Sequence, residues 1–364
     1  MPHIETVEIQ NYRNHDHVQL DFKKGINVIW GENGSGKTAA LEAVYTLSMG
    51  RSFRTRNHKE TLKENANRSS LKGTFNTNTA VREIKLNHLS TGQRRFFING
   101  TAIKKTMDLI GKTPIVLLSP EEQIITKGSP GDRRDYFNKI FSIISREYLK
   151  TLLIYQRLIK QRNFALRETR KRHTNHTAIT AWNEPVVSTG KKLWKLKTDI
   201  INQTILELQK INKKHAKEDI DLQLEFFQEG EAETFKNRLE SSLERDIVKG
   251  RTTAGPHRDE YCFTFNGRLL RSFGSQGEHK LALVLIKMAE INTIKKATGK
   301  TPILMLDDFF AKLDFQRADG ALSLLNGEHQ TIITTTDIVD IEKHGIDLES
   351  ENNTSLHMER MCKA

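Results

Sequence analysis

An α/β fold with a mostly helical insert between two β-rich flanks is what this 364-residue sequence predicts. Three observations predict it. Residues Gly31 to Thr38 read G-x-x-x-x-G-K-T between an apolar run and a helix-forming run. A second apolar run, Ile303 to Leu306, ends in two acids, Asp307 and Asp308. Between these, the apolar period is helical over two long stretches.

The first flank, from Ile4 to about Leu118, reads as mostly β. Ile26, Val28, Ile29 and Trp30 form a strand, and Ala39 to Leu47 favour a helix. Strand, glycine loop and helix are the context the octapeptide needs. Glycines let backbone N–H groups converge on phosphate oxygens with no Cβ in the way. The helix start turns its positive dipole end toward the same anion. Gly31, Glu32, Asn33, Gly34, Ser35 and Gly36 are thus expected around a nucleoside triphosphate. Lys37 would reach the β- and γ-phosphates, and Thr38 would offer its hydroxyl to Mg²⁺. Short strands follow at Ile84–Leu86, Phe96–Ile98 and Ile115–Leu118, with Asn99-Gly100 as a hairpin turn.

Helical spacing of Ile140, Ile143, Ile144, Leu149, Leu152, Leu153 and Ile159 predicts helix from about Arg133 to Arg172. Leu193, Leu196, Ile200, Ile201, Ile205 and Leu208 predict a second from about Val187 to Ile211. Both stripes read as core, and neither sustains the heptads of a long coiled coil.

After Leu222 the strands return. Ile303 to Leu306 has the composition of a strand buried on both faces, and ligands collect at the carboxyl end of such strands. Asp307 would hold Mg²⁺, and Asp308 sits where a base orients an attacking water. Ala311 to Asp314 follows, then a further strand at Thr331–Ile333 whose end, Thr334 to Thr336, either closes the strand or reaches a phosphate. Thirty-two residues before Asp307, Ser275-Gln276-Gly277-Glu278 opens an apolar helix from about Lys280 to Ile291. Ser275 suits an N-cap and an anion site equally. The expected organisation is a domain from residues 1–128 and 246–364 with an insert at 129–245.

The formal charge of +12, with a pI near 9.5, is concentrated in three runs. Arg146 to His173 holds nine Lys/Arg against Glu147 and Glu168, Lys191 to Lys214 seven against Asp199 and Glu207, and Arg51 to Lys72 seven against Glu60 and Glu64. Such runs fit a polyanion held through its phosphates without base readout. Cys262 and Cys362 lie far apart with no metal spacing, which suits a reducing compartment. No apolar run approaches a membrane span, so a cytoplasmic protein is expected.

The serine-x-glycine signature ahead of a double acid followed by x-x-Leu-Asp resembles the ATP-binding-cassette (ABC) ATPases. More narrowly the chain resembles the RecF family. The resemblance is carried by Ile9-Gln10-Asn11-Tyr12-Arg13-Asn14, Gly50-Arg51-Ser52-Phe53-Arg54, Ile98-Asn99-Gly100, Ser119-Pro120-Glu121, Arg133-Arg134, Leu158 to Asn163 and Gly255-Pro256-His257-Arg258-Asp259, in the family's order. It implies an ABC-type P-loop ATPase head (lobe I, a mixed β-sheet with helices) and an inserted, mostly helical lobe II. It also implies that Ser275, Gln276 and Gly277 of one subunit complete the ATP and Mg²⁺ site of another in an ATP-dependent homodimer, with Asp314 in the loop after the acids. Arg13 is expected at the nucleotide or, alternatively, as an ordinary surface arginine. The implied partners are double-stranded and gapped DNA, RecO and RecR, and indirectly RecA. Arg51, Arg54, Arg157, Lys160 and Arg162 are the expected DNA-facing residues. Slow ATP hydrolysis would release the DNA. Glu278 and His279 depart from the family, which usually has glutamine and another polar or basic residue there. The rivals are an SMC-like or other ABC-type ATPase, which for SMC needs a far longer coiled coil than the about 235 residues between Thr38 and Ser275 allow, and a DNA-binding protein that does not hydrolyse ATP.

Overall fold

Alternation of buried and solvent-facing residues makes the amino-terminal strands one-sided. Ser69, Leu71, Gly73 and Phe75 turn inward along Arg68–Thr77, and Ile84, Leu86 and His88 along Ala80–Leu89. The computed structural model describes residues 1–77, 80–172, 176–214, 220–308, 329–343 and 346–361. In it β1 (His3–Tyr12), β2 (His15–Asp21), β4 (Arg68–Thr77), β5 (Ala80–Leu89), β6 (Arg94–Ile98) and β7 (Thr101–Ala102) form an antiparallel sheet in the order β2-β1-β4-β5-β6-β7. The predicted hairpin joins β6 to β7, with Asn99 at φ 49° and Gly100 at φ 76°, both positive as a tight two-residue turn requires.

A second sheet is wholly parallel. It runs β14 (Thr354–His357), β3 (Ile26–Trp30), β13 (Thr331–Thr335), β12 (Ile303–Asp307) and β8 (Ile115–Leu118). Every residue of β8, β12 and β13 is buried. Pairing puts Asp307 beside Thr334, and Thr334 beside Ile29, so the glycine loop and the acids leave the same edge.

Between the two sheets lies helix α1 (Lys37–Met49), packed against β1 and β4 on one side and β12 and β13 on the other. All its residues but Thr38 are buried. A helix apolar on most faces is the sequence's answer to a site between two sheets. Leu41, Val44 and Leu47 are fully buried, each contributing about 1.5–3 kcal/mol through apolar burial.

The chain divides into two compact units, residues 1–123 with 280–364, and residues 124–279. The division therefore falls at Gln123/Ile124 and His279/Lys280, where 128/129 and 245/246 were expected. In the second unit the expected helix from Arg133 is two: α2 (Pro130–Ile144) and α3 (Arg146–Arg172). Ser145, extended at φ −126°, ψ 114°, separates them, and its hydroxyl accepts the Tyr148 N–H at 3.1 Å, so it caps the second helix while ending the first. Helix α4 (Asn183–Lys214) packs along α3, and a Cβ at its Gly190 would lie 2.6 Å from the Phe235 ring. A small antiparallel sheet, β9 (Leu222–Phe227), β10 (Glu260–Phe265) and β11 (Arg268–Leu269), completes this unit. Helix α5 (Gln276–Thr298) begins there and continues into the first unit. No helix among the described residues is long and apolar enough to cross a membrane.

Two members of the basic runs are structural. Arg162, expected to face DNA, is wholly buried. Its Nη1 donates to Asp246 Oδ2 and to Thr252 Oγ1, each at 2.8 Å, and its Nε to Asn183 Oδ1 at 3.2 Å. Lys197 is buried against Asp259 at 2.6 Å, and Asp259 also accepts the Trp194 Nε1–H at 2.9 Å. Arg157 and Lys160 remain exposed.

His257 adds a titrating element. Its Nε2–H donates to Thr252 O at 3.1 Å, which leaves Nδ1 to accept the Tyr155 hydroxyl at 2.8 Å. Burial holds the imidazole neutral, its pKa pushed down from 6.5 to about 4. The folded state takes up the proton less readily than the unfolded chain, so this contribution is present above pH 6.5 and is lost as pH falls toward 4. His257→Gln, whose amide can make both bonds without titrating, should flatten the fall in melting temperature across that window. An unchanged profile would assign the acid sensitivity elsewhere. Arg162→Ala should lower the unfolding free energy by about 3–5 kcal/mol in chemical denaturation, because it strands the Asp246 carboxylate. Arg157→Ala should stay within about 0.5 kcal/mol.

Candidate functional site

The loop from Gly31 to Gly36 turns through three positive φ values, 145° at Gly31, 86° at Gly34 and 100° at Gly36. Gly36 is fixed by more than its dihedral. A Cβ there would lie 2.3 Å from His15 Cε1. The β1–β2 turn braces the loop at this point: Asn14 Nδ2 donates to Gly34 O at 2.9 Å, and His15 Nε2 to Gly36 O at 3.0 Å. Burial lowers the His15 pKa, which keeps the ring a neutral donor. Neither contact was readable in advance, because nothing local in Asn14-His15 signals a partner some 20 residues away.

Lys37 points back over the loop, its Nζ donating to Gly31 O at 2.8 Å and to Glu32 O at 2.7 Å. Burial lowers its pKa, against the opposing pull of Asp308 and Asp307. Above the loop opens a cavity of about 740 Å³, lined among others by Arg13, Asn33, Gly34, Lys37, Thr38 and Asp308. The volume lies within the ordinary range for small-molecule sites.

Thr38 and the acids form one hydrogen-bonded chain. Thr38 Oγ1 donates to Asp307 Oδ1 at 2.9 Å, Thr334 Oγ1 donates to the same oxygen at 2.7 Å, and Asp308 N donates to Thr334 Oγ1 at 2.9 Å. Thr334 therefore joins the two acids, while the Thr335 hydroxyl donates to Asp337 O. Burial raises the Asp307 pKa, the two threonine hydrogen bonds oppose the rise, and the nearby acids Glu121 and Asp308 add to it. Thr38 and Asp307 together are a hard-oxygen donor pair of the kind Mg²⁺ takes beside substrate phosphates. Asp308 adopts φ 46°, and its Oδ1 is buried with no hydrogen-bond partner among the described residues. An unsatisfied buried carboxylate oxygen in a strained residue is a mark of a functional position.

Arg13 lines this cavity, but its guanidinium is held by Glu42, Nε to Oε2 at 2.8 Å and Nη2 to Oε1 at 2.7 Å. Glu42 is the main residue that sequence reasoning missed. It lies inside an apolar helix stretch, and only its position one turn after Thr38 hints at a role. Arg54 also lines the cavity, and Arg51 is exposed.

The signature residues belong to the second unit, at the start of α5. Ser275 and Glu278 form a capping box: Glu278 N donates to Ser275 Oγ at 3.2 Å, and Ser275 N donates to Glu278 Oε2 at 2.6 Å. Hydrogen bonds from Ser275, its backbone N–H first, hold the Glu278 carboxyl below its ordinary pKa. Asp314 lies outside the described residues.

A family model described as the RecF/RecN/SMC N terminal domain matches residues 3–353. A DNA replication and repair protein RecF of Clostridium acetobutylicum is 33% identical over 354 residues, covering 94% of this chain and 95% of that protein. One of Bacillus subtilis is 30% identical over 353 residues, covering 93% and 95%. Among solved structures, the recombination mediator protein RecF with ATP, of the RecFOR pathway, superposes with a TM-score of 0.86 at 27% identity, covering 93% of each chain. The Smc head domain of Pyrococcus furiosus, at a TM-score of 0.55 and 17% identity over 94% of this chain and 92% of that one, shares the fold. With the glycine loop and the double acid meeting at the edge of a parallel sheet in this ABC-type head, and with relatives matched along nearly their whole length, the chain belongs to the RecF family.

Proposed function

We propose that this chain is a cytoplasmic DNA replication and repair ATPase. In this reading ATP draws two copies together on duplex DNA near single-strand gaps, and slow hydrolysis releases them. The observation that carries the reading is the chain from Thr38 through Asp307 and Thr334 to Asp308, set beside the glycine loop.

The residues divide the work as follows. Backbone N–H groups of residues 31–38 hold the phosphates, and Lys37 leaves its loop carbonyls for the β- and γ-phosphate oxygens. Thr38 and Asp307 are the residues that would hold Mg²⁺, which when bound neutralises phosphate charge. Asp308 accepts a hydrogen bond from the attacking water and aims it at the γ-phosphorus. Thr334 fixes both acids through one hydroxyl. Arg13 adds positive charge at the cavity wall. Ser275, Gln276 and Gly277 of one copy meet the γ-phosphate held by another, so the site is complete only in the dimer. Asp314 joins them in that closure.

Arg51, Arg54, Arg157 and Lys160 are the DNA-facing candidates that the structure leaves exposed, and contacts of this kind grip phosphate without reading bases. RecO and RecR are the proposed protein partners, and RecA loading the proposed outcome. The RecFOR setting of the solved relative supports the first two, and the family resemblance supports the third.

Sedimentation with and without ATP and duplex DNA tests this. The wild type should associate only with nucleotide present. Lys37→Met should lose nucleotide binding and association together, whereas Ser275→Arg should bind nucleotide and remain monomeric. A wild type that stays monomeric with both ligands overturns the clamp. Glu278→Gln should strengthen nucleotide-dependent association, because it removes an acid from beside the incoming γ-phosphate and loosens the hold on the Ser275 N–H. Weaker association in that variant would give the capping carboxylate a supporting role instead.

A further inference from the structure

Glu42 is a fully buried carboxylate in the middle of a helix that is otherwise almost entirely apolar. Taking a carboxylate out of water costs several kcal/mol, and an apolar side chain of similar size usually serves stability as well or better. Its partners show what the charge does instead. None comes from α1 itself. Arg13 grips it fork on fork from the β1–β2 turn. Ser52 donates its hydroxyl to Oε1, and Arg54 Nη1 stands 3.9 Å from Oε2.

Behind these contacts a whole loop is wired to the carboxylate. Ser52 Oγ accepts the N–H groups of Arg54 at 2.9 Å and Thr55 at 3.1 Å. Glu60 takes the Thr55 hydroxyl at 2.6 Å and the Asn57 amide at 3.1 Å, while its backbone carbonyl accepts Arg13 Nη1 at 2.7 Å. The backbone adds Arg13 N to Thr61 O at 2.9 Å. The loop so tied carries Arg51, Arg54, Arg56 and Lys59, all exposed. Arg13 lines the cavity over Lys37 and Thr38, and Arg54 and Glu60 of the tied loop line it too. Three of the five guanidinium N–H groups are spent on Glu42 and Glu60, which leaves two for a phosphate or ribose oxygen.

We propose that Glu42 is a positioning residue that aims Arg13 into the nucleotide cavity and joins that cavity to the basic loop 51–59, so that triphosphate and duplex DNA occupancy are coupled through one buried carboxylate. The proposal rests on the ATPase reading above. Nucleotide drawing on Arg13 changes the load on Glu42, and Glu42 passes it to Ser52 and Arg54. DNA drawing on the loop arginines acts along the same path in reverse. Coupling of this kind is reciprocal, so each ligand tightens the other by one common factor.

The test measures binding of a non-hydrolysable ATP analogue with and without a duplex, and of a labelled duplex with and without the analogue. In the wild type the two factors should agree, at about 5-fold or more. In Glu42→Gln, which keeps the shape and removes the charge, the factor should fall to about 1 and analogue affinity should drop. Melting temperature reports whether the variant is folded. Ser52→Ala, which removes the hydroxyl link between Glu42 and the loop but leaves Arg13 on Glu42, should keep wild-type analogue affinity and lower the factor, and it decides the matter if Glu42→Gln does not fold. A folded variant of either kind with the wild-type factor overturns the proposal. So does a wild type that binds the analogue tightly with a factor of 1, which leaves the nucleotide-site reading standing. A wild type that binds no analogue overturns both.

Discussion

The register of the parallel sheet is the constraint on which the phosphate end of the first unit depends. Asp307 lies opposite Thr334, and Thr334 opposite Ile29, two residues before the first glycine of the loop. A slip of one residue in the first pairing would turn the Asp307 carboxylate to the opposite face of the sheet, and one in the second would shift the entry to the glycine loop. The register is held at its other end by side chains rather than by turns. Gln330 accepts the Ile4 N–H at 2.7 Å and donates to Ile4 O at 2.8 Å and Lys23 O at 2.7 Å. Asn27 donates to Thr331 O at 3.2 Å and to Gly25 O at 3.0 Å. Two buried amides thus fix where β3 and β13 begin, and with them Thr334, four residues on from Gln330, and the glycine loop, which opens four residues on from Asn27.

What could be read from the sequence was what is encoded locally. The glycine loop announces itself because three of its dihedrals need glycine and its helix follows at once. The run Ile303–Leu306 reads as a buried strand because a strand covered on both faces has no polar alternation to show. The turn at Asn99-Gly100 is equally local. Charge is not local in this sense. Arg162 looked like its neighbours Arg157 and Lys160, since the residue that buries it, Asp246, is 84 positions away. The break at Ser145 was hidden because apolar spacing continues through it, whereas the hydroxyl that decides it counts only once the Tyr148 N–H is within reach. Glu42 was invisible for the same reason: its partners come from segments on either side of α1.

The second unit relies on a different device. Asp259 accepts bonds from Trp194 Nε1, Lys197 Nζ and Glu229 N, so one carboxylate ties α4, the end of β9 and the entrance of β10 together. Arg162 does the same for α3, Asn183 and the segment at Asp246 and Thr252. Buried ion pairs add little net stability relative to apolar packing, but breaking one is costly. Each carries its charge at one point where segments far apart in sequence meet.

The parallel sheet draws its strands from residues 26–30, 115–118, 303–307, 331–335 and 354–357. During synthesis at about 5–20 residues per second, the strand bearing Asp307 emerges tens of seconds after α1. For all that time α1, apolar on nearly every face, has only the antiparallel sheet to cover it. The newborn chain therefore carries a greasy helix covered on one side only while the second unit is being made. Closing the first unit therefore waits on long-range pairing rather than on local helix formation.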